Sequence, residues 1–228
     1  YHLMVIIMLK TLYSLFYAQN YKFMKVTNPQ IYNFQGHPIL HFNSKFKLNG
    51  DEEKSINNLE WIENVNNYKT KHNFILNKKE FSRVKQMFDN SLDYYIKEVL
   101  GLGNKVDLKN SWATLNKQNQ QHHEHCHKNV LFSINYYPQV EDGGICFTFR
   151  RSILEKGYNF EYNVIENNKF NSSRNIVNLK DGDVVIFPAW LFHESTPNTS
   201  NKERYMFGAN YFIKGEIGNE VMVDLLTL

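Results

Sequence analysis

Only two cysteines occur in 228 residues, Cys126 and Cys146, too few for a disulfide framework, and their separation matches no zinc-knuckle spacing. Free thiols in a reducing cytoplasm are the simplest reading. An excess of one charge is also missing: 26 Lys and Arg against 23 Asp and Glu leave a formal +3, which gives no electrostatic footprint for a nucleic-acid partner. No apolar run is long enough to span a bilayer, which takes roughly 18 uninterrupted residues. The apolar opening from Tyr1 to Ala18 is broken by Lys10, so a membrane partner is not expected. Internal repeats are absent, and there is no low-complexity tract beyond an enrichment in Asn and Lys.

What is present points to one β-rich domain. Aromatic residues make up 15% of the chain, with 14 Tyr and 17 Phe, which favours strands whose large side chains fill a sandwich or barrel. Met24 opens a segment, MKVTNPQIYNFQGHPIL, that reads as an ordinary soluble N-terminus. Residues 1–23 are therefore set apart as an apolar extension, either an over-long reading-frame translation or an anchor or signal, and residues 24–228 are read as one domain. From Met24 to about Asn77 the chain is polar, with short β-like runs such as Ile39 to Phe46.

One strong helix follows. Asn77 and Glu80 fit a capping box, Phe81, Val84, Phe88, Leu92, Tyr95 and Val99 recur at helical spacing, and Gly101 sits where a C-terminal cap residue belongs. Its apolar stripe is read as a face packed against a sheet. Beyond Gly103 the pattern shifts to strand-like runs at Ser111–Asn116, Val130–Tyr137, Ile145–Arg150, Val184–Pro188 and Tyr205–Ile213, punctuated by turns at Asp142-Gly143-Gly144 and Lys180-Asp181-Gly182-Asp183. Asn163 to Asn175 reads as a long loop, and Tyr158, Phe160 and Tyr162 beside it are candidates to cover a site as a lid.

The chemistry is concentrated in HHEHCHKNV, which holds four of the nine histidines. Residues i and i+2 of a strand share a face, so His125 with His127, or His123 with His125, can address one ion. His122 with Glu124 would instead supply the His-x-carboxylate half of a two-histidine, one-carboxylate iron triad. Spacing leaves these three registers open. His193, after the buried run VVIFPAWLF, is the candidate distant ligand. Arg204 opens the next strand, where an antiparallel return brings it beside His193, and a guanidinium suits a bidentate pair with a carboxylate.

These elements together resemble the 2-oxoglutarate/Fe(II) oxygenases of prolyl-hydroxylase type, in particular a phage and bacterial branch, over Ser111 to about Ile213. The likeness rests on Trp112 with Asn116, His125 with His127, Ser133 with Tyr136-Tyr137, Gly143-Gly144, the run FPAWLFH ending at His193, and Arg204 followed by Asn210. The chain departs from the pattern at Lys128, where a proline usually follows the second histidine, and at Ala189, which replaces a serine.

The resemblance implies a mainly β, double-stranded β-helix (a jelly-roll with its core at about 108–214) braced by an N-terminal helix. It implies Fe(II) held by His125, His127 and His193, and 2-oxoglutarate held by Arg204 and Tyr137, with Asn116 and Ser133 lining the same pocket. The implied reaction uses O2 to decarboxylate 2-oxoglutarate to succinate and CO2 while a C–H bond of a small molecule or peptide side chain is oxidised, with no catalytic side chain beyond the metal centre. Two other readings fit the same residues: a cupin-type three-histidine dioxygenase without an oxo-acid, and a non-catalytic binding module on the same barrel.

Overall fold

The computed structural model describes residues 27–34, 36–148, 163–168, 171–218 and 224–227. The apolar extension (1–23) and the lid aromatics Tyr158, Phe160 and Tyr162 lie outside them. Strands β1 (Thr27–Phe34) and β2 (His37–Asn43) are followed by helix α1 (Gly50–Asn57), strands β3 (Trp61–Asn64) and β4 (Asn67–Thr70), and helix α2 (Ser82–Tyr94), which continues as one π-helical turn over Tyr95–Val99. Then come β5 (Lys105–Asn116), β6 (Phe132–Gln139), β7 (Gly144–Thr148), β8 (Arg174–Asn178), β9 (Asp183–Pro188), β10 (Phe192–Ser195) and β11 (Arg204–Lys214).

Eight of these strands form a sheet in the order β1-β2-β9-β6-β11-β5-β4-β3, and β10-β7-β8 form a smaller one. Every strand pair in both sheets is antiparallel. The two sheets face each other as the mainly β, double-stranded β-helix expected from the sequence.

Period-2 alternation sorts the side chains of the large sheet. On β9, Val184 and Ile186 point outward to one core, while Val185 and Phe187 point inward to another. On β6, Ile134 and Tyr136 go outward and Tyr137 inward; on β11, Phe207, Ala209 and Tyr211 go outward and Met206 inward. The outer core is closed by α2 and its continuation, whose Val84, Phe88, Leu92 and Tyr95 are fully buried, with Phe81 just before them. The inner core fills the space between the sheets, where Ile145, Phe147 and Val177 of the smaller sheet meet Val185 and Phe187. Because β9 is buried on both faces, it reads as the unbroken apolar run DVVIFP.

Two local expectations are corrected. The helix does not start on a box formed by Asn77 and Glu80: short 3-10 turns occupy Ile75–Asn77 and Lys79–Phe81, and α2 begins after Phe81 with no side-chain cap. The capping box lies earlier, at α1, where Asn49 Oδ1 accepts from the backbone of Asp51 and Glu52, and Glu52 accepts from the Asn49 N–H at 2.7 Å. Glu52 is a buried carboxylate that also takes Arg83 at 2.8 Å, tying α1 to α2. The stretch read as a loop from Asn163 to Asn175 gives up its last two residues to β8. Gly101, with φ +66, does occupy the left-handed position that ends the helix.

Truncating Phe88, fully buried between α2 and the sheet, is expected to cost about 3–5 kcal/mol through lost burial and the cavity left behind. Removing the α1 cap with Asn49→Ala should cost only about 1 kcal/mol. Urea unfolding of both variants measures the difference; equal losses would mean that α2 is not packed as described.

Candidate metal centre and cosubstrate cavity

The same alternation that sends apolar residues outward sends a set of polar ones between the sheets. Ser133, Asn135 and Tyr137 of β6, Trp112, Thr114 and Asn116 of β5, and Arg204, Met206 and Asn210 of β11 share the inner face. Opposite them the segment before β6 extends the smaller sheet. His125 and His193 form an antiparallel bridge and exchange two backbone hydrogen bonds, 2.9 and 2.8 Å long, while the His127 N–H donates to Ala189 O at 2.8 Å. These bonds bring the HHEHCH segment against β10.

His125, His127 and His193 each offer a ring nitrogen, all within 4.8 Å of one another. In each ring the other nitrogen is engaged. His125 Nδ1 lies 2.8 Å from His123 O and His193 Nδ1 2.8 Å from Leu191 O; His127 Nδ1 lies 2.6 Å from Ser133 Oγ and 2.7 Å from Asn210 Oδ1. Those partners are acceptors, so each Nδ1 carries the proton and each Nε2 keeps a lone pair directed at the shared space. Burial is the main cause that lowers all three imidazoles from the usual histidine value, His127 to about 4, and neighbouring imidazoles add to it: His123 for His125, His125 for His127, and His125 with His127 for His193. All three are therefore neutral near pH 7, the state in which imidazole binds a metal. The residues fit a divalent ion of the iron–zinc class.

The other registers are placed differently. His122, His123 and His125 form a second close group, with His122 stacked on His125 at 4.3 Å. His122 Nε2, however, is 3.4 Å from Asn64 Nδ2. Glu124 is exposed and belongs to neither group, so the His122/Glu124 register does not assemble with His193.

One cavity runs from His125 and His193 to Arg204, with Asn116, Asn135, Tyr137 and Ser195 along its walls. Arg204 is buried and donates to Asp142 O at 3.1 Å, to Ser195 Oγ at 3.3 Å and to Thr196 O. Gly143, at φ +92, is required beside it: a Cβ there would stand 2.3 Å from the guanidinium. Burial pushes the Tyr137 phenol up to about 12, so it stays protonated and able to donate. Asn135 Oδ1 is buried without a partner among the described residues. Asn116 accepts from Asn67 at 2.9 Å and donates to Ser195 Oγ at 3.0 Å.

Ser133 is not on this wall. Fully buried behind His127, it donates to Asn210 Oδ1 at 2.6 Å, so it orients a histidine instead of lining the cavity. Trp112 packs edge-on against His127 at 5.2 Å, and Gly208 opposite it leaves the room it needs, since a Cβ there would meet the indole at 2.7 Å.

Residues 110–210, which span the histidines and Arg204, match a family model described as "Putative 2OG-Fe(II) oxygenase". The matched stretch, a little under half of the chain, is similar to that family. The chain also shares its fold with HygX from Streptomyces hygroscopicus, solved with nickel, 2-oxoglutarate and hygromycin B bound, at 13% identity and a TM-score of 0.51, covering 78% of this chain and 84% of that one. The epimerase SnoN from nogalamycin biosynthesis aligns at 13% identity and a TM-score of 0.54 over 79% of each chain. The carbocyclase SnoK of the same biosynthesis aligns at 14% and 0.51, over 81% of this chain and 82% of that one. No curated protein matches the chain. No helix among its described residues is long and apolar enough to cross a membrane.

Ser195 and Asn135 were missed by sequence reasoning, although each follows a named residue, His193 or Ser133, by two positions on the same strand face. That spacing is the signal that finds them. Ser133→Ala and Asn210→Ala are expected to weaken metal binding about 10–100-fold by freeing the His127 ring. Competition with a chromophoric chelator reads this directly; unchanged affinity in both variants would remove His127 from the ligand set.

Proposed function

We propose that His125, His127 and His193 hold Fe(II) and that Arg204, Tyr137 and Asn116 receive the distal carboxylate of 2-oxoglutarate, making the chain a hydroxylase of a small-molecule or peptidyl C–H bond. The observation that carries this reading is the cavity itself. His125 and His193, two of the three clustered histidines, line one end of it, and a buried guanidinium with a protonated phenol stands at the other. When bound, iron and 2-oxoglutarate supply oxygen activation coupled to decarboxylation of the oxo-acid to succinate and CO2.

The chain's own residues do the rest. His125, His127 and His193 would hold the metal by three side chains only, leaving room for the cosubstrate beside it. The backbone bridge between His125 and His193, with the bonds to each Nδ1, fixes ring orientation before metal arrives. Arg204 presents a planar donor pair, and its existing bonds to Asp142 O and Thr196 O hold it in place. Phe147 and Phe187, at 6.1 and 4.6 Å from the His193 ring, keep water from its far side. A reducing cytoplasm accords with Cys126 and Cys146, which are unpaired.

Anaerobic titration of the Fe(II)-loaded protein with 2-oxoglutarate should develop the weak visible charge-transfer band of a chelated oxo-acid. His193→Ala should abolish iron binding and the band. Arg204→Lys, which keeps the charge but loses the planar donor pair, should keep iron and weaken 2-oxoglutarate about 10–100-fold, the equivalent of one or two charged hydrogen bonds. Bound iron with no band would turn the reading towards a cupin-type three-histidine dioxygenase.

A further inference from the structure

On the other side of the same histidines a second cavity opens, with a volume of about 270 Å³, bounded by His125 and His127 and by Asn64, Lys69, Asn73, Asn110, Trp112 and His123. That size is near the lower end of small-molecule sites and too small to enclose a folded partner. No aspartate or glutamate lines it. Lys69 is the one fully charged side chain on its wall.

Lys69 stands on β4 directly opposite Thr114 of β5, so its side chain leaves the sheet on the inner face that Trp112 and Thr114 share. Neighbouring lysines are engaged: Lys71 pairs with Glu60 at 2.7 Å, and Lys117 lies 4.8 Å over the Tyr68 ring. Lys69 has no hydrogen-bond or ion-pair partner among the described residues. Other donors around it are also unspent. Asn110 uses its Oδ1 to accept from Asn210 at 2.9 Å, which leaves its NH2 group free, and the Asn73 side-chain amide has no partner among the described residues. His123 Nδ1 is buried with none. A small polar cavity with one unpaired cation, two free amides and no anion is complementary to acceptor oxygens carrying negative charge.

We propose that this cavity is the substrate site and that it selects a small molecule bearing a carboxylate, phosphate or sulfate, which Lys69 pairs with while the carbon to be oxidised faces His125 and His127. The proposal rests on the oxygenase reading above. Lys69 and Asn73 precede residues 110–210, the stretch shared with the family, so the selectivity belongs to this chain's own β3–β4 edge.

The test uses inorganic phosphate as probe, titrated into the Zn(II)-loaded full chain saturated with 2-oxoglutarate, with 31P line width as readout. The cosubstrate occupies Arg204 in that mixture, so remaining phosphate binding reports the second cavity. Wild type should bind, Lys69→Ala should bind about tenfold or more weakly, as expected for one charged hydrogen bond, and Lys69→Arg should restore binding. Equal binding by wild type and Lys69→Ala, or no binding by wild type, overturns the proposal and leaves the iron reading intact. Metal and 2-oxoglutarate binding are measured on the same samples. Lys69-dependent phosphate binding in a protein that takes neither would leave an anion site without a substrate role, overturning both readings together.

Discussion

A β-strand cannot turn two successive side chains to the same side, and that constraint arranges this molecule from its core to its chemistry. On the central strands β5, β6 and β11 the outward positions are almost all apolar and meet α2. The inward positions hold Asn116, Ser133, Asn135, Tyr137, Arg204 and Asn210, polar groups that would be costly to bury without partners. Most partner one another, and the partners left over are the three Nε2 lone pairs and the guanidinium face. The site is thus what remains after the interior has satisfied its own hydrogen bonds.

Its charge balance follows from the same inventory. Three neutral imidazoles bring no negative charge to the ion, unlike a triad that includes a carboxylate, and Arg204 adds a cation at the far end of the cavity. Glu124 is exposed, and Glu194, which borders the cavity, is paired with Arg174. The protein part of the centre is therefore positive with metal present. A doubly anionic cosubstrate would offset two of the three positive charges of a divalent ion and Arg204, and so would have a larger share in holding an assembled centre together than where a carboxylate ligand is present.

Much of this was legible in the sequence. The strands over 111–213 announce themselves by alternation or by an unbroken apolar run, and the helical stripe from Phe81 to Tyr95 is as buried as its spacing predicts. The order of Trp112, the histidine pair, Gly143-Gly144, His193 and Arg204 carried the resemblance. Less could be read where long-range contacts decide. Four histidines in six residues allow several ligand sets, and the choice depends on which of them pairs with His193, a contact across 68 positions of chain. Ser133 looked like a pocket residue because its neighbours on β6 are; only the position of Asn210 on the adjacent strand shows that its hydroxyl is directed behind His127. The start of α2 was misplaced because Asn77 and Glu80 have the right identities for a cap, while the chain around them is held in 3-10 turns by burial of Ile75, Leu76 and Phe81. Strands β3 and β4 were hidden by their polarity, as is common for a sheet edge.

The backbone bridge between His125 and His193 makes ligand identity a matter of register. Neither histidine reaches the shared space by a long, adjustable side chain; each is delivered by a ladder rung two hydrogen bonds wide. Displace that rung by one residue and the position opposite His193 is taken by Glu124 or Cys126, a hard oxygen or a soft sulfur in place of an imidazole. A one-residue shift of register along the segment from His122 to His127 would therefore change the ligand set offered beside His193 while every histidine codon stayed intact.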